Sequence, residues 1–404
     1  MQMMKMISNI LQTNTFEPIL IKKALGSWFW DTNGKKYLDC ESGMWCVNLG
    51  HNHPKVIDAM KNQMDEIIHR NKMFLTPITI EAAERVLKYF PNKYDRITFL
   101  NSGSEAVEFA INFAKKVTGR DRVLSLQNSY LGAFGTAKKA SYTSSSNSKL
   151  KIPFQICDSN NCDCIEKFGP LLDDIFLEKT NAPACFVLEP IIVSGGIYKP
   201  CSKYIEYICK KIHECGGLII IDEVTTGFGR AGYKFGYEYF KIIPDINVLG
   251  KALGNGYPIS AIITNSSLEV KVSLPDLYYA QSHQLDPLGA AVANSVINVF
   301  EEEQVLQKSQ KKIQGFNDFL KSLSYSFIKE TRSYGMIFGI EIQSLKNLSS
   351  KELILKLKDK LLNEGILIGT NLGKNLLRFL PPLNIENEEI EFFKEKLTIV
   401  LNSL

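Results

Sequence analysis

The stretch NVLGKALGNGYPIS, residues 247–260, carries an apolar run directly into a lysine set among small residues. Lysine is among the residues least often fully buried, yet Lys251 follows "INVL" (246–249) with one glycine between them. A short continuous apolar run of this kind suits a strand covered on both faces. Similar runs recur at "ITFL" (97–100), "VLSL" (123–126), "CFVL" (185–188), "LIII" (218–221) and "SAII" (260–263). Helical spacing lies between several of them. Ala106, Ala110, Phe113 and Val117 repeat after the first, and Tyr204, Ile208 and Ile212 after "CFVL". Strand alternating with helix predicts an α/β fold, with a mainly parallel sheet between layers of helices.

The flanks read differently. "GSWFWDTNGKKYLDCES" holds a turn signal at Asn33-Gly34 between aromatic-rich strands, so residues 15–50 are expected to form a short β-meander. Amphipathic helices are expected near 288–322, 350–364 and 387–402. The expected organisation is an N-terminal segment (1–54), a large α/β domain (55–285) and a C-terminal part (286–404). The two end segments together would build a smaller α+β domain. The polar run "SYTSSSNSK" (141–149) reads as an exposed loop.

Composition narrows the function. A net charge of +4 over 404 residues, with no basic run interleaved with aromatics, gives no footprint for nucleic acid. No apolar stretch approaches the ~20 residues of a membrane helix. The start, "MQMMKMISNILQTN", lacks the apolar core and small-residue cleavage site of a signal peptide. Nine cysteines at irregular spacing are expected to be reduced thiols in a cytoplasmic protein. Cys157, Cys162 and Cys164 in "CDSNNCDC" lack paired C-x2-C units and a nearby histidine, so they read as surface cysteines without a metal.

Ligands of open α/β sheets bind beyond the carboxyl ends of the strands. "ITFL" is followed by "NSGSEAVEFA", where Ser102 and Glu105 can form a capping box and Gly103 opens a helix start to an anion. Asp222 ends the very apolar "LIII", Glu189 follows "CFVL", and Lys251 follows "INVL". An unpaired carboxylate at such a place is costly and calls for a cation or good hydrogen bonds. No G-x-G-x-x-G opens a helix after a first strand, "GFGRAG" (227–232) lacks that context, and no G-x-S-x-G elbow is present. A lysine, an acid and an anion cradle match what pyridoxal 5'-phosphate needs: an amine for its aldehyde, a carboxylate for its ring nitrogen and a phosphate site. Burial and a cationic ring would lower the Lys251 pKa and let its amine act as a base.

On these residues the chain closely resembles the class III pyridoxal-phosphate aminotransferases, of fold type I. The motifs "WDTNGKKYLDCESGMWCVNLGHNHP", "NSGSEAVEFAINFAK", "SYLGAFG", "EPIIVSGG", "IIIDEVTTGFGRAG", "PDINVLGKALGNGYPISA", "SHQLDPLGAA" and "LLRFLPPLNI" occur in family order. The resemblance implies that Lys251 is the Schiff-base lysine and Asp222 the partner of the ring nitrogen. Val224 and Tyr130 would face the two sides of the ring, and Gly103 and Ser104 would form the phosphate turn. Ser282 would reach the phosphate of a neighbouring subunit, implying a homodimer with shared active sites. Trp45 would line the substrate pocket and Arg378 would bind a substrate carboxylate, while His51 and His53 would serve turn and packing. Glu189 would support the site from behind.

Three positions depart from the family pattern. Leu131 stands where most members have histidine, Thr225 where many have glutamine, and Ser194 where the ornithine and 4-aminobutyrate enzymes carry a glutamate that holds the substrate arginine aside. The implied reaction is ping-pong transfer from an amino acid or omega-amine donor to a 2-oxo acid such as pyruvate or 2-oxoglutarate. An epimerase or aminomutase would use the same apparatus.

Overall fold

The computed structural model describes residues 9–11, 13, 15–144, 151–156, 163–177 and 181–404. The aromatic-rich N-terminal stretch is an antiparallel meander of β1 (Ile21–Leu25), β2 (Trp28–Asp31) and β3 (Lys36–Asp39). Its second turn puts Gly34 at φ +85°, where a side chain would be strained. The Asp31 carboxylate accepts hydrogen bonds from the amides of Asn33 and Lys35 and closes that turn.

The central sheet contains β4 (Arg96–Leu100), β5 (Val123–Leu126), β6 (Lys151–Ile152), β7 (Cys185–Leu188), β8 (Leu218–Asp222), β9 (Ile246–Leu249) and β10 (Ser260–Thr264). Their order is β4-β10-β9-β8-β7-β5-β6. Every apolar run named above is a strand. "SAII" alone pairs antiparallel to both neighbours, while β9, β8, β7, β5 and β6 are mutually parallel. The cause lies in the connection: residues 250–259 hold only a short 3-10 turn, too little for the crossover that a parallel neighbour requires.

The helices α1 (Pro54–Glu66) and α2 (Pro77–Lys88) precede the sheet, and α3 (Gly103–Thr118) and α4 (Ser202–Glu214) cover its two faces. Alternate residues of one strand serve opposite layers. Cys185, Val187 and Ile220 pack with Ala106, Ala110 and Phe113 of α3, whereas Phe186, Leu188, Ile219 and Ile221 pack with Tyr204, Ile208 and Ile212 of α4. Each fully buried aliphatic side chain of this kind contributes roughly 1.5–3 kcal/mol relative to exposure. The long α5 (Pro287–Glu302), buried along nearly its whole length, packs against α1 and α2.

Beyond it come α6 (Val305–Ser322), β11 (Ile328–Ser333), β12 (Phe338–Ile342), α7 (Ser350–Asn363), β13 (Ile366–Leu367), β14 (Gly369–Asn371), β15 (Leu376–Phe379) and α8 (Asn387–Asn402). The helical stretch expected near 288–322 is two helices, divided where Gln304 takes φ +52°. β13 pairs parallel with β3, so the two ends of the chain share one sheet, while β11-β12-β15-β14 form another.

Two loop expectations change. Of 141–149, residues 145–149 lie outside the described residues, and Ser141 is buried because its hydroxyl bridges the Leu131 amide and the Ala137 carbonyl, at 2.8 Å each. Cys157 and Cys162 also lie outside the described residues. Cys164 is buried, not on the surface, because it opens the helix Cys164–Leu177 and packs in the same cluster as Leu172 and Tyr204. Among the described residues no helix is long and apolar enough to cross a membrane.

Candidate active site

Three neighbouring parallel strands end at one edge of the sheet with ionisable groups: β7 is followed by Glu189, β8 ends in Asp222, and β9 is followed by Gly250 and Lys251. Lys251 sits at φ +42°, a left-handed conformation that side chains resist. Its ammonium donates to Thr225 Oγ1 at 2.6 Å, and it forms no ion pair among the described residues. Burial lowers its pKa below the usual lysine value, against the pull of Cys46, Asp222 and Glu189.

Asp222 is buried and, among the described residues, forms no salt bridge. Burial pushes its carboxyl up to about 6, opposed by the Val224 amide, which donates to it at 3.0 Å, and by the charge of Lys251. Glu189 is likewise raised by burial and by Asp222, and it accepts the Tyr130 amide at 2.7 Å. That bond ties the Tyr130 loop to the strand edge. Among the described residues, none of the three ionisable groups is closed into a salt bridge.

Val224 joins this edge to the start of α3. A Cβ on Gly103 would come within 2.8 Å of its Cγ1, and one on Gly250 within 3.2 Å. Glycine at both places lets the helix start and the Lys251 loop close around one valine. Ser102 caps α3 by accepting the Glu105 amide at 3.2 Å, but the expected return bond reaches the Asn101 amide at 3.0 Å instead of Ser102. Tyr279 and Gln281 hold the other Glu105 oxygen and turn the carboxylate. The first-turn amides of a helix have no intrahelical acceptor and so can receive an anion. The Ser104 hydroxyl accepts the Ala133 amide at 3.1 Å.

Trp45 and Arg378 arrive from outside the central sheet. Ser42, Gly43, Met44 and Trp45 have φ of 40°, 59°, 60° and 68°, a single left-handed helical turn. For three non-glycine residues this costs roughly 1–2 kcal/mol each, so the turn needs external restraint. Asp39 accepts the Glu41 and Gly43 amides at 2.9 and 2.8 Å and pairs with His51 at 2.8 Å. The fully buried Arg230 donates to Ser42 Oγ at 3.0 Å and to Asn48 Oδ1 at 2.7 Å. Burial pushes the Arg230 guanidinium down to about 9.

So held, the turn lays Trp45 beside both cations of the site: Lys251 Nζ is 4.5 Å and Arg378 Cζ 4.4 Å from its ring centroid. Arg378 is buried and already paired, donating to both oxygens of Glu41 at 3.3 and 3.0 Å. Tyr142 lies close enough to Arg378, Glu189 and Tyr130 for their charges to act on a phenol that burial has already raised.

The structure therefore gathers Lys251, Asp222, Val224, Gly103, Trp45 and Arg378, with Tyr130 half exposed at the rim. Ser282 is exposed, and no hydrogen bond or ion pair joins it to them. His51 and His53 pair with Asp39 and Glu303 and stay outside the site. Sequence reasoning missed Glu41, Asp39, Arg230 and Tyr142. "GFGRAG" was legible only as a failed dinucleotide motif, and nothing local tells that its arginine braces a turn at Ser42, 188 positions earlier. The acid at 41 carried a faint signal in standing beside "SGMW".

The residues present fit pyridoxal 5'-phosphate. A buried acid and an amine that, among the described residues, form no salt bridge, with a helix start narrowed onto the same valine, meet the needs of its ring nitrogen, aldehyde and phosphate. Fold and site together define a pyridoxal-phosphate-dependent transferase. The family model for aminotransferase class III matches residues 10–401, and the chain belongs to that family. It is 32% identical to an ornithine aminotransferase of Oceanobacillus iheyensis, over 96% of this chain and 94% of the relative. It is 30% identical to an acetylornithine aminotransferase of Methanothermobacter thermautotrophicus, over 98% and 97%. A solved phospholyase from Arthrobacter in complex with phosphoethanolamine superposes with a TM-score of 0.90 at 25% identity, covering all of both chains. The chain is a pyridoxal-phosphate-dependent transaminase that moves an amino group from a donor to a 2-oxo acid.

Proposed function

We propose that Lys251 is the residue that binds the cofactor aldehyde and then moves the proton at the substrate carbon. The observation that carries this reading is its partly buried amine, directed by Thr225 Oγ1 at 2.6 Å and, among the described residues, free of ion pairs, next to the carboxylate of Asp222. When bound, pyridoxal 5'-phosphate supplies an exchangeable carbonyl and a ring that takes up the electrons of a substrate carbanion. Asp222 would hold the proton on the ring nitrogen, since its burial makes an unpartnered charge there costly enough to favour that contact. Val224 and Tyr130 would face the ring on its two sides, Gly103 and Ser104 would receive the phosphate, and Glu189, which accepts the Tyr130 amide, would steady that loop. Lowering of the Lys251 pKa by burial supplies a neutral amine nearer to working pH.

Trp45 walls the substrate pocket and Arg378 meets a substrate carboxylate. The donor is an amino acid or omega-amine and the acceptor a 2-oxo acid such as pyruvate or 2-oxoglutarate. The exposed Ser282 completes the phosphate site of a second copy, in a cytoplasmic homodimer with shared active sites. Residues 55–285 form the cofactor-binding body, with 1–54 and 286–404 as the smaller domain. The test is Lys251→Ala. Turnover should fall by more than the roughly 100- to 10,000-fold typical of losing a base, and the visible absorbance of lysine-bound cofactor should vanish. Normal turnover without added amine would refute the assignment.

A further inference from the structure

Arg378 does not wait empty for a carboxylate. Its guanidinium forks onto both oxygens of Glu41, at 3.3 Å from Nε and 3.0 Å from Nη2, and both side chains are more than nine-tenths buried. Trp45 Nε1 donates to the same Glu41 oxygen that Nη2 holds, at 3.3 Å, and the Trp45 ring lies 4.4 Å from the guanidinium carbon. The position is built for this acid. Gly369 on β14 pairs in register with Arg378 on β15, and a Cβ there would lie 2.4 Å from the Glu41 Cδ and from both its oxygens. The φ of Gly369 lies outside the left-handed region, so the backbone does not require glycine; the carboxylate head of Glu41 does. The strained turn of residues 42–45, braced by Asp39 and Arg230, fixes the segment from which Glu41 reaches across.

We propose that Glu41 is a displaceable counter-ion of Arg378 that sets which substrates this transaminase accepts. The inference rests on reading Arg378 as the carboxylate-binding group. With Glu41 in place, the charge of Arg378 beside Trp45 is neutralised and the pocket takes a donor whose amine-bearing carbon carries no carboxylate. An amino acid or 2-oxo acid must exchange its own carboxylate for that of Glu41, a like-for-like replacement of a bidentate pair. The cost of displacing Glu41 weakens carboxylate substrates without abolishing them. One arginine thereby serves two chemically unlike partners in the two halves of the reaction. The acid comes from the N-terminal turn and not from the loop at Ser194, whose carbonyl accepts from Asn371 Nδ2 at 2.7 Å.

The experiment uses the holoenzyme and propionate, a carboxylate that cannot react, read through the shift it causes in cofactor absorbance. Alanine and isopropylamine, which differ by a carboxylate against a methyl group, are compared in single-turnover half-reactions. Glu41→Gln should tighten propionate about tenfold and raise the alanine-to-isopropylamine rate ratio by a similar factor. Gly369→Ala, which crowds the Glu41 head, should move both readouts in the same direction, and it keeps the test alive if Glu41→Gln fails to fold. Unchanged or weakened propionate binding in both variants overturns the proposal, as does an equal loss of rate on both donors, the mark of a purely structural acid. No detectable propionate binding to any form overturns it too. Arg378→Gln separates the two readings: if it binds propionate as well as the parent enzyme, the carboxylate role of Arg378 falls, whatever Glu41 does.

Discussion

Replacing Asp222 with asparagine should stabilise the cofactor-free protein while ruining it as an enzyme. The carboxyl of Asp222 is pushed up to about 6 from 3.8 by burial, with only the Val224 amide and the charge of Lys251 acting against the shift. The folded value lies above the unfolded one. The native state therefore binds the extra proton between the two values, and stability falls as pH rises through that window. Two units at about 1.4 kcal/mol each amount to about 3 kcal/mol of destabilisation, complete above pH ~7 and nearly absent at pH ~3.5. Asparagine is nearly isosteric, still accepts the Val224 amide, and carries no charge.

The assay is urea unfolding of cofactor-free wild type and Asp222→Asn at pH 4, 6 and 8, each pair compared at equal pH so that titrations of groups remote from Asp222 cancel. The variant should gain relative to wild type by about 2–3 kcal/mol between pH 4 and pH 8. Saturating pyridoxal 5'-phosphate should restore wild type far more than the variant, because only the acid can hold the ring proton. A stability difference that does not change with pH would refute the view of Asp222 as an uncompensated buried charge awaiting a cationic ring.

Further expectations concern the supports of the site. Asp39→Ala removes the acceptor of two turn amides and the partner of His51; unfolding should show a loss of about 2–4 kcal/mol, and Trp45 fluorescence should report a loosened pocket. Gly195→Ala would press a Cβ to 2.0 Å from the Asn128 carbonyl oxygen; equilibrium dialysis should show cofactor binding weakened by tenfold or more, since the loop carrying Tyr130 must shift. Gln304→Gly, at an exposed left-handed position remote from the site, should raise stability by up to about 1 kcal/mol in thermal unfolding with kcat unchanged.

Strands and helices were legible because their signals are local. The runs "CFVL" and "LIII" are apolar at every position and "INVL" at all but Asn247, and such short runs between helical segments suit strands buried on both faces. Lys251 and Asp222 stood out for the same reason, as charged groups abutting segments that exclude water. The direction of "SAII" was not legible, since an apolar run has no intrinsic polarity relative to its neighbours; the short connection after Lys251 decided it. The exact boundary between the two helices over 287–322 depended on a single backbone rotation at Gln304, which the apolar spacing does not encode.

By itself the sequence determined the layered α/β architecture, the edge at which charge accumulates and the chemistry that a lysine, an acid and a helix start can perform together. Only the tertiary structure brought Glu41, Arg230 and Gly369 to Trp45 and Arg378, and wound residues 42–45 into a left-handed turn. Patterns of burial recur over a few residues and can be read along the chain. A salt bridge spanning 337 positions, or a strained turn held by distant side chains, exists only once the whole fold has closed.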